Sequence, residues 1–140
     1  MNIDQAEERI LTFSKTIQII FVTSLSLIFV AQLATIDGHS MNPTLHDKEK
    51  VIINKLVYDI KLPRREDIIV FRPSFNQNIT YIKRIIGLPG DKVKIQDNHI
   101  YINGRRINHD YTLGDQIKKE FLEEVVPPKH VFVLGDNLNH

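Results

Sequence analysis

In the stretch DGHSMNPTL, residues 37–45, a serine directly follows a histidine. A serine hydroxyl becomes a useful nucleophile only when a base takes its proton. His39 is the nearest candidate, but neighbouring side chains of an extended segment point to opposite faces, so His39 and Ser40 would not readily share a proton. His46, His99, His109 and His130 are scattered, show no metal-ligand spacing, and give Asp136 no obvious triad partner. The histidines read as surface or structural groups, and neither a metal nor a cofactor is expected.

Lysine offers a second kind of base. A neutral amine can deprotonate serine if its pKa falls from ~10.4 towards neutrality, and burial in an apolar site supplies such a shift. Serine–lysine pairs are a known variant of serine hydrolase chemistry. In ITYIKRII, residues 79–86, strand alternation places Tyr81, Lys83 and Ile85 on one face and Ile82, Arg84 and Ile86 on the other. Lys83 is then flanked by an aromatic and an aliphatic side chain. The commoner arrangement is an exposed strand lysine whose stem lies along apolar surface. By spacing alone, Ser40 with Lys83 is one pairing among many.

The elements that must position these residues are mainly β. KVIINKLV (residues 50–57), DIIVF (67–71), ITYIKRII, KVKI and HIYI are short runs rich in β-branched residues. Turn chemistry separates them at Pro63, Pro73-Ser74, Pro89-Gly90-Asp91, Asp97-Asn98 and Asn103-Gly104. DQIKKEFLEEVV (115–126) spaces Ile117, Phe121 and Val125 four apart and predicts a short helix, and HVFVLGDN enters a Gly-Asp-Asn turn. The chain has 140 residues, 42% of them hydrophobic, a net charge of +1 and no cysteine. That allows one modest core, excludes disulfides and thiolate metal sites, and gives no reason to expect a nucleic-acid partner.

Residues 16–36, TIQIIFVTSLSLIFVAQLATI, carry no charge. As a helix they would extend roughly 30 Å, enough to cross the hydrocarbon core. The acidic leader and the lack of a small-x-small pattern argue for an uncleaved anchor over a signal peptide. The expected organisation is a cytoplasmic segment 1–15, a transmembrane anchor 16–36 and an extracytoplasmic β domain 37–140. Lysines on both sides leave orientation undetermined by charge.

SMNPTL (residues 40–45) and YIKRIIGLPGD (81–91) resemble two signature boxes of the type I signal peptidases, the bacterial leader peptidases. REDIIVFRP (65–73) is similar to a third box, with Glu66 where glycine is usual, and FVLGDN (132–137) to the start of the last. The resemblance implies a membrane-anchored serine–lysine protease with a signal-peptidase-like β catalytic domain. It implies that Ser40 is the nucleophile, Lys83 the general base, and the Ser40 N–H an oxyanion donor. Some members carry a serine hydroxyl as a second donor two positions before the nucleophile; Gly38 stands there instead, which resembles the Gram-positive subset. Ile36, Met41, Leu45, Tyr81 and Ile82 correspond to positions lining shallow pockets for small substrate side chains. Pro43, Gly87, Pro89, Gly90, Asp91, Gly135 and Asn137 correspond to structural positions, and Arg84 is expected to pair with Asp136.

The implied substrates are signal peptides of secreted preproteins, and the implied setting is the outer face of the cell membrane, among lipid and near a secretion translocon. Ser40 is four residues on from Ile36, so the nucleophile is expected within ~14 Å of the anchor's end. In the family the last box continues into a Ser-x-Asp-Ser-Arg stretch that helps orient the lysine. This sequence stops at His140, so the expectation here is a C-terminally incomplete domain of reduced activity. The alternative is a tethered relative that binds signal peptides or a secretion partner without cutting.

Overall fold

A computed structural model describes residues 3–97, 99–107 and 120–138. A long helix, α1 (Ile3–Val30), leads into β1 (Ala31–Thr35) and β2 (Lys50–Asn54), which pair antiparallel with Leu33 opposite Ile52. A single turn of helix, α2 (Val57–Ile60), follows. Then come β3 (Ile68–Phe71) and β4 (Tyr81–Gly87), the hairpin β5 (Lys92–Gln96) and β6 (His99–Ile102), then β7 (Arg105–Ile107), β8 (Phe121–Val125) and β9 (Phe132–Leu134). These strands form three antiparallel sheets, in the orders β1-β2, β3-β4-β9 and β7-β6-β5-β8.

Alternation explains the core. In β5 and β6 every second residue is buried, and the register sets Val93 opposite Ile102 and Ile95 opposite Ile100. These cross-strand pairs cover one face of the sheet. Ile86 and Val126 complete the core, with Phe121, Phe132 and Leu134 packed against it. Gly87 has no room for a side chain, because a Cβ there would lie 2.8 Å from Val93 Cγ2. The Asn103-Gly104 turn has positive φ at both residues, as a two-residue hairpin of this twist requires.

Asp91 ties the turn after β4 to its surroundings. Its carboxylate accepts from the Leu88 N–H at 2.7 Å, the Asn103 amide at 2.8 Å and the Arg65 guanidinium at 2.9 Å. Burial pushes the carboxyl up, and these three donors overcome that and hold it below the usual carboxylate range.

Three segments differ from the sequence-based expectations. The helix expected over 16–36 ends at Val30, and residues 31–35 are strand. The ladder to β2 and the Lys55 N–H, which donates to the Val30 carbonyl at 2.8 Å, divert the chain out of helix. The charge-free part of α1 therefore begins at residue 16 and ends at 30, ~22 Å at helical rise. Among the described residues no helix is long and apolar enough to cross a membrane. The strand expected over 50–57 stops at Asn54. Residues 121–125 of the expected short helix form β8, which pairs with β5 with Phe121 opposite Ile95. A ladder with a central strand outweighed a four-residue apolar spacing, while residues 115–119 of the same reading lie outside the described residues.

Candidate active site

Ser40 lies in the turn that follows β1, and β9 leads the chain back beneath it. The Asn137 N–H donates to the Ser40 carbonyl at 3.0 Å, and the Asn137 side-chain amide donates to the His39 carbonyl at 3.1 Å. Gly135 packs directly under the same peptide unit. A Cβ at Gly135 would overlap the Ser40 carbonyl oxygen and stand 3.2 Å from Lys83 Nζ. The Ser40 carbonyl and the Lys83 amine thus converge on one glycine, and that close approach is what requires glycine there.

Lys83 projects from β4 at the position paired with Ile69 of β3. It is half-buried, and loss of hydration pushes its pKa below the ordinary lysine value, with the carboxylate of Asp136 opposing the shift. Asp136 itself is only 1% exposed. It accepts from Arg84 Nε at 2.8 Å and Nη2 at 2.6 Å, a bidentate pair. The expected Arg84–Asp136 pair is therefore formed. Thr44, in the serine-bearing turn, donates its hydroxyl to the same carboxylate, and Arg84 Nη1 reaches the Glu66 carbonyl at 2.9 Å. One buried ion pair thus connects the serine loop, β4 and the turn after β9.

Among the described residues the Ser40 N–H donates to no other group. Gly38 differs: its N–H donates to Asp47 Oδ1 at 2.7 Å. That bond is the main reason the Asp47 carboxyl sits below its usual range. The Gly38 N–H is therefore occupied and is not a free oxyanion donor. Its φ of +104° is a conformation that side chains rarely adopt.

A groove of about 670 Å³ opens at Ser40 and runs between β1–β2 on one side and β3–β4 on the other. Ile36, Tyr81 and Ile82 line it. Met41 and Leu45 do not. Met41 is fully buried and Leu45 partly buried. Sequence reasoning missed Ala34, Val51, Ile53 and Val70, which supply much of the apolar wall. The available signal was the pairing of β1 with β2, hidden because residues 31–35 read as the end of a helix. Pro43, Pro89 and Gly90 lie at exposed turns, His39 is exposed, Gly87 is buried at the end of β4, and Asp91 is buried in the turn after it.

A predominantly β domain in which the Ser40 carbonyl and the half-buried Lys83 amine both approach Gly135, beside a groove that opens at Ser40, has the architecture of a hydrolase. Residues 9–140 match the family model described as signal peptidase, peptidase S26, and the chain belongs to that family. It is 42% identical over 123 residues to signal peptidase I of Bacillus caldolyticus, an alignment covering 79% of this chain and 66% of the relative. It is 38% identical to probable signal peptidase I-2 of a Synechocystis strain, over 80% of this chain and 53% of the relative. With signal peptidase I S of Bacillus subtilis it shares 35% identity, over 94% of this chain and 76% of the relative. The chain thus spans between about half and about three quarters of the length of these relatives.

Proposed function

We propose that this chain is a signal peptidase that cuts signal peptides from exported preproteins by serine–lysine chemistry. The observation that carries this reading is the convergence of Ser40 and a desolvated Lys83 on Gly135, at the end of a groove sized for an extended peptide. Neutral Lys83 takes the Ser40 proton, Ser40 Oγ attacks the scissile carbonyl, and the amine product leaves with a proton from the lysine. Lys83 then deprotonates water, which attacks the acyl-serine and frees the second product. The Ser40 N–H faces the developing oxyanion, and removing a donor of that kind costs ~3 kcal/mol of barrier.

The substrate lies extended along β4. Over Arg84–Gly87 that strand pairs with β9, whereas Tyr81 and Ile82 line the groove. An added strand is held by main-chain hydrogen bonds, and its alternate side chains drop into the groove wall. Residues before the scissile bond lie beside Ile82, Tyr81 and then Thr80.

The membrane setting is part of the same proposal. Helix α1 exposes apolar side chains all round, including Ile10, Phe13, Ile17, Ile20 and Phe21, and the outward cross-strand pair Leu33 and Ile52 is exposed too. These surfaces enter lipid and hold Ser40 near the membrane face, where a preprotein presents its cleavage site. The domain after α1 faces outward, beside the translocon.

The deciding experiment is cleavage of a preprotein in detergent by the wild-type chain, Ser40→Ala and Lys83→Ala. Loss of cleavage in both variants is expected. Cleavage surviving in either one overturns the dyad. Absence of cleavage by the wild type, together with retained signal-peptide binding, favours the non-cutting relative.

A further inference from the structure

We propose that Arg72 is a specificity residue that selects the charge of the substrate three to five residues before the scissile bond, favouring acidic and rejecting basic side chains there. This rests on the reading of the groove as the peptide site. Two charged residues line the groove, Asp37 and Arg72. Asp37 is neutralised by an ion pair with Lys48. Arg72 has no hydrogen-bond or ion-pair partner among the described residues, and its side chain is exposed. The groove therefore presents one uncompensated cation to whatever occupies it.

Register places that cation along the substrate. Phe71 pairs with Tyr81 and Ile69 with Lys83, so Arg72 follows at the end of β3, level with Thr80. Lys83 is three residue steps from Thr80, ~10 Å at strand rise. A peptide extended along β4 with its scissile carbonyl at Ser40 covers that distance with about three residues, and the length of the arginine side chain adds one or two. The neighbouring wall, Val70, Phe71 and Tyr81, is largely apolar, so the guanidinium is the dominant charge at that depth. A carboxylate there gains an ion pair, and an ammonium meets like charge.

The test uses three fluorogenic peptides with Ala, Glu or Lys four residues before the cleavage site and otherwise identical. The wild type is expected to rank them Glu over Ala over Lys in kcat/KM. The spread between Glu and Lys should be roughly threefold to tenfold, the range of two partly exposed charge interactions, and should shrink in high salt. Arg72→Glu is expected to reverse the ranking. Because the comparison is made within each protein, a general loss of activity does not affect it.

Binding of the same peptides to Ser40→Ala, followed by fluorescence anisotropy, repeats the ranking without chemistry. The Arg72 assignment is thus still decided if no peptide is cut, a result that would count against the peptidase reading alone. An unchanged order in Arg72→Glu by either measurement overturns the proposal.

Discussion

Gly135 lies so close to Lys83 that a Cβ at position 135 would stand 3.2 Å from the lysine Nζ. The same atom would collide with the Ser40 carbonyl oxygen, which belongs to backbone and cannot swing aside. Gly135→Ala is therefore expected to push the serine turn and the lysine apart. A displacement of ~1 Å between reacting groups costs on the order of a hundredfold in rate. Preprotein cleavage should fall by about that factor, while circular dichroism keeps its β signature. Activity within twofold of wild type would show that the Gly135 contact does not set the Ser40–Lys83 geometry.

Lys83 gives a prediction about pH. Its folded-state pKa is lowered by desolvation. Cleavage should therefore rise with pH through that lowered value as the amine becomes neutral. Stability follows the same sign. Between the lowered pKa and 10.5 the unfolded chain binds more protons than the folded one, so stability increases with pH across that window. Below the window both states are protonated and the desolvation penalty is fully present. Lys83→Met is expected to abolish cleavage and to raise the melting temperature most at acid pH, with the gain vanishing above pH ~10.5. A lower melting temperature for the variant at pH 6 would contradict the buried-amine account.

The Arg84–Asp136 pair predicts an asymmetric stability pattern. Both side chains are buried, at 10% and 1% exposure. Removing one leaves the other charge uncompensated, which costs ~3–5 kcal/mol. Arg84→Met and Asp136→Leu should each lose about that much in urea denaturation, and the double variant should recover a large part of it. Additive losses would mean the two residues act independently.

Gly38→Ser tests whether a hydroxyl can be added at that site. An added Cβ meets nothing within 4 Å, but the backbone φ of +104° is costly for any side chain. A stability loss of ~1–3 kcal/mol is expected from strain, with no gain in cleavage rate because the Gly38 N–H stays bound to Asp47. A faster enzyme would show that the serine side chain reaches the oxyanion.

The membrane proposal is checked with lipid vesicles. Replacing both Leu33 and Ile52 with glutamate puts charge on the outward face of β1–β2 without touching its groove-facing residues, Ala34 and Val51. The variant should sediment less with vesicles than wild type and keep its cleavage of peptides in detergent. Equal sedimentation would confine lipid contact to α1.

Sequence patterns were most informative where one interaction dominates. Asn103-Gly104 specified a turn because few other residues tolerate positive φ at both positions. KVKI and HIYI read as short strands from their β-branched residues, and the structure pairs them and buries Val93, Ile95, Ile100 and Ile102. Residues 31–35 misled because a charge-free run looks alike in helix and strand until a partner strand is known. Residues 121–125 misled for a related reason, since Phe121 and Val125 fit a helical spacing and a strand pairing equally well.

The sequence by itself determined the chemistry available to this protein: a serine, a lysine on an apolar strand, an arginine with a possible acid partner, and glycines at turns. These are properties of residue type and local spacing. Only the tertiary structure decided which groups meet. The Ser40 carbonyl and the Lys83 amine both approach Gly135, which follows β9, and glycine alone leaves the space. The same folding buried Met41, occupied the Gly38 N–H with Asp47, and left Arg72 as the uncompensated cation in the groove. Each of these outcomes depends on contacts between segments distant in sequence, and local spacing carries no information about them.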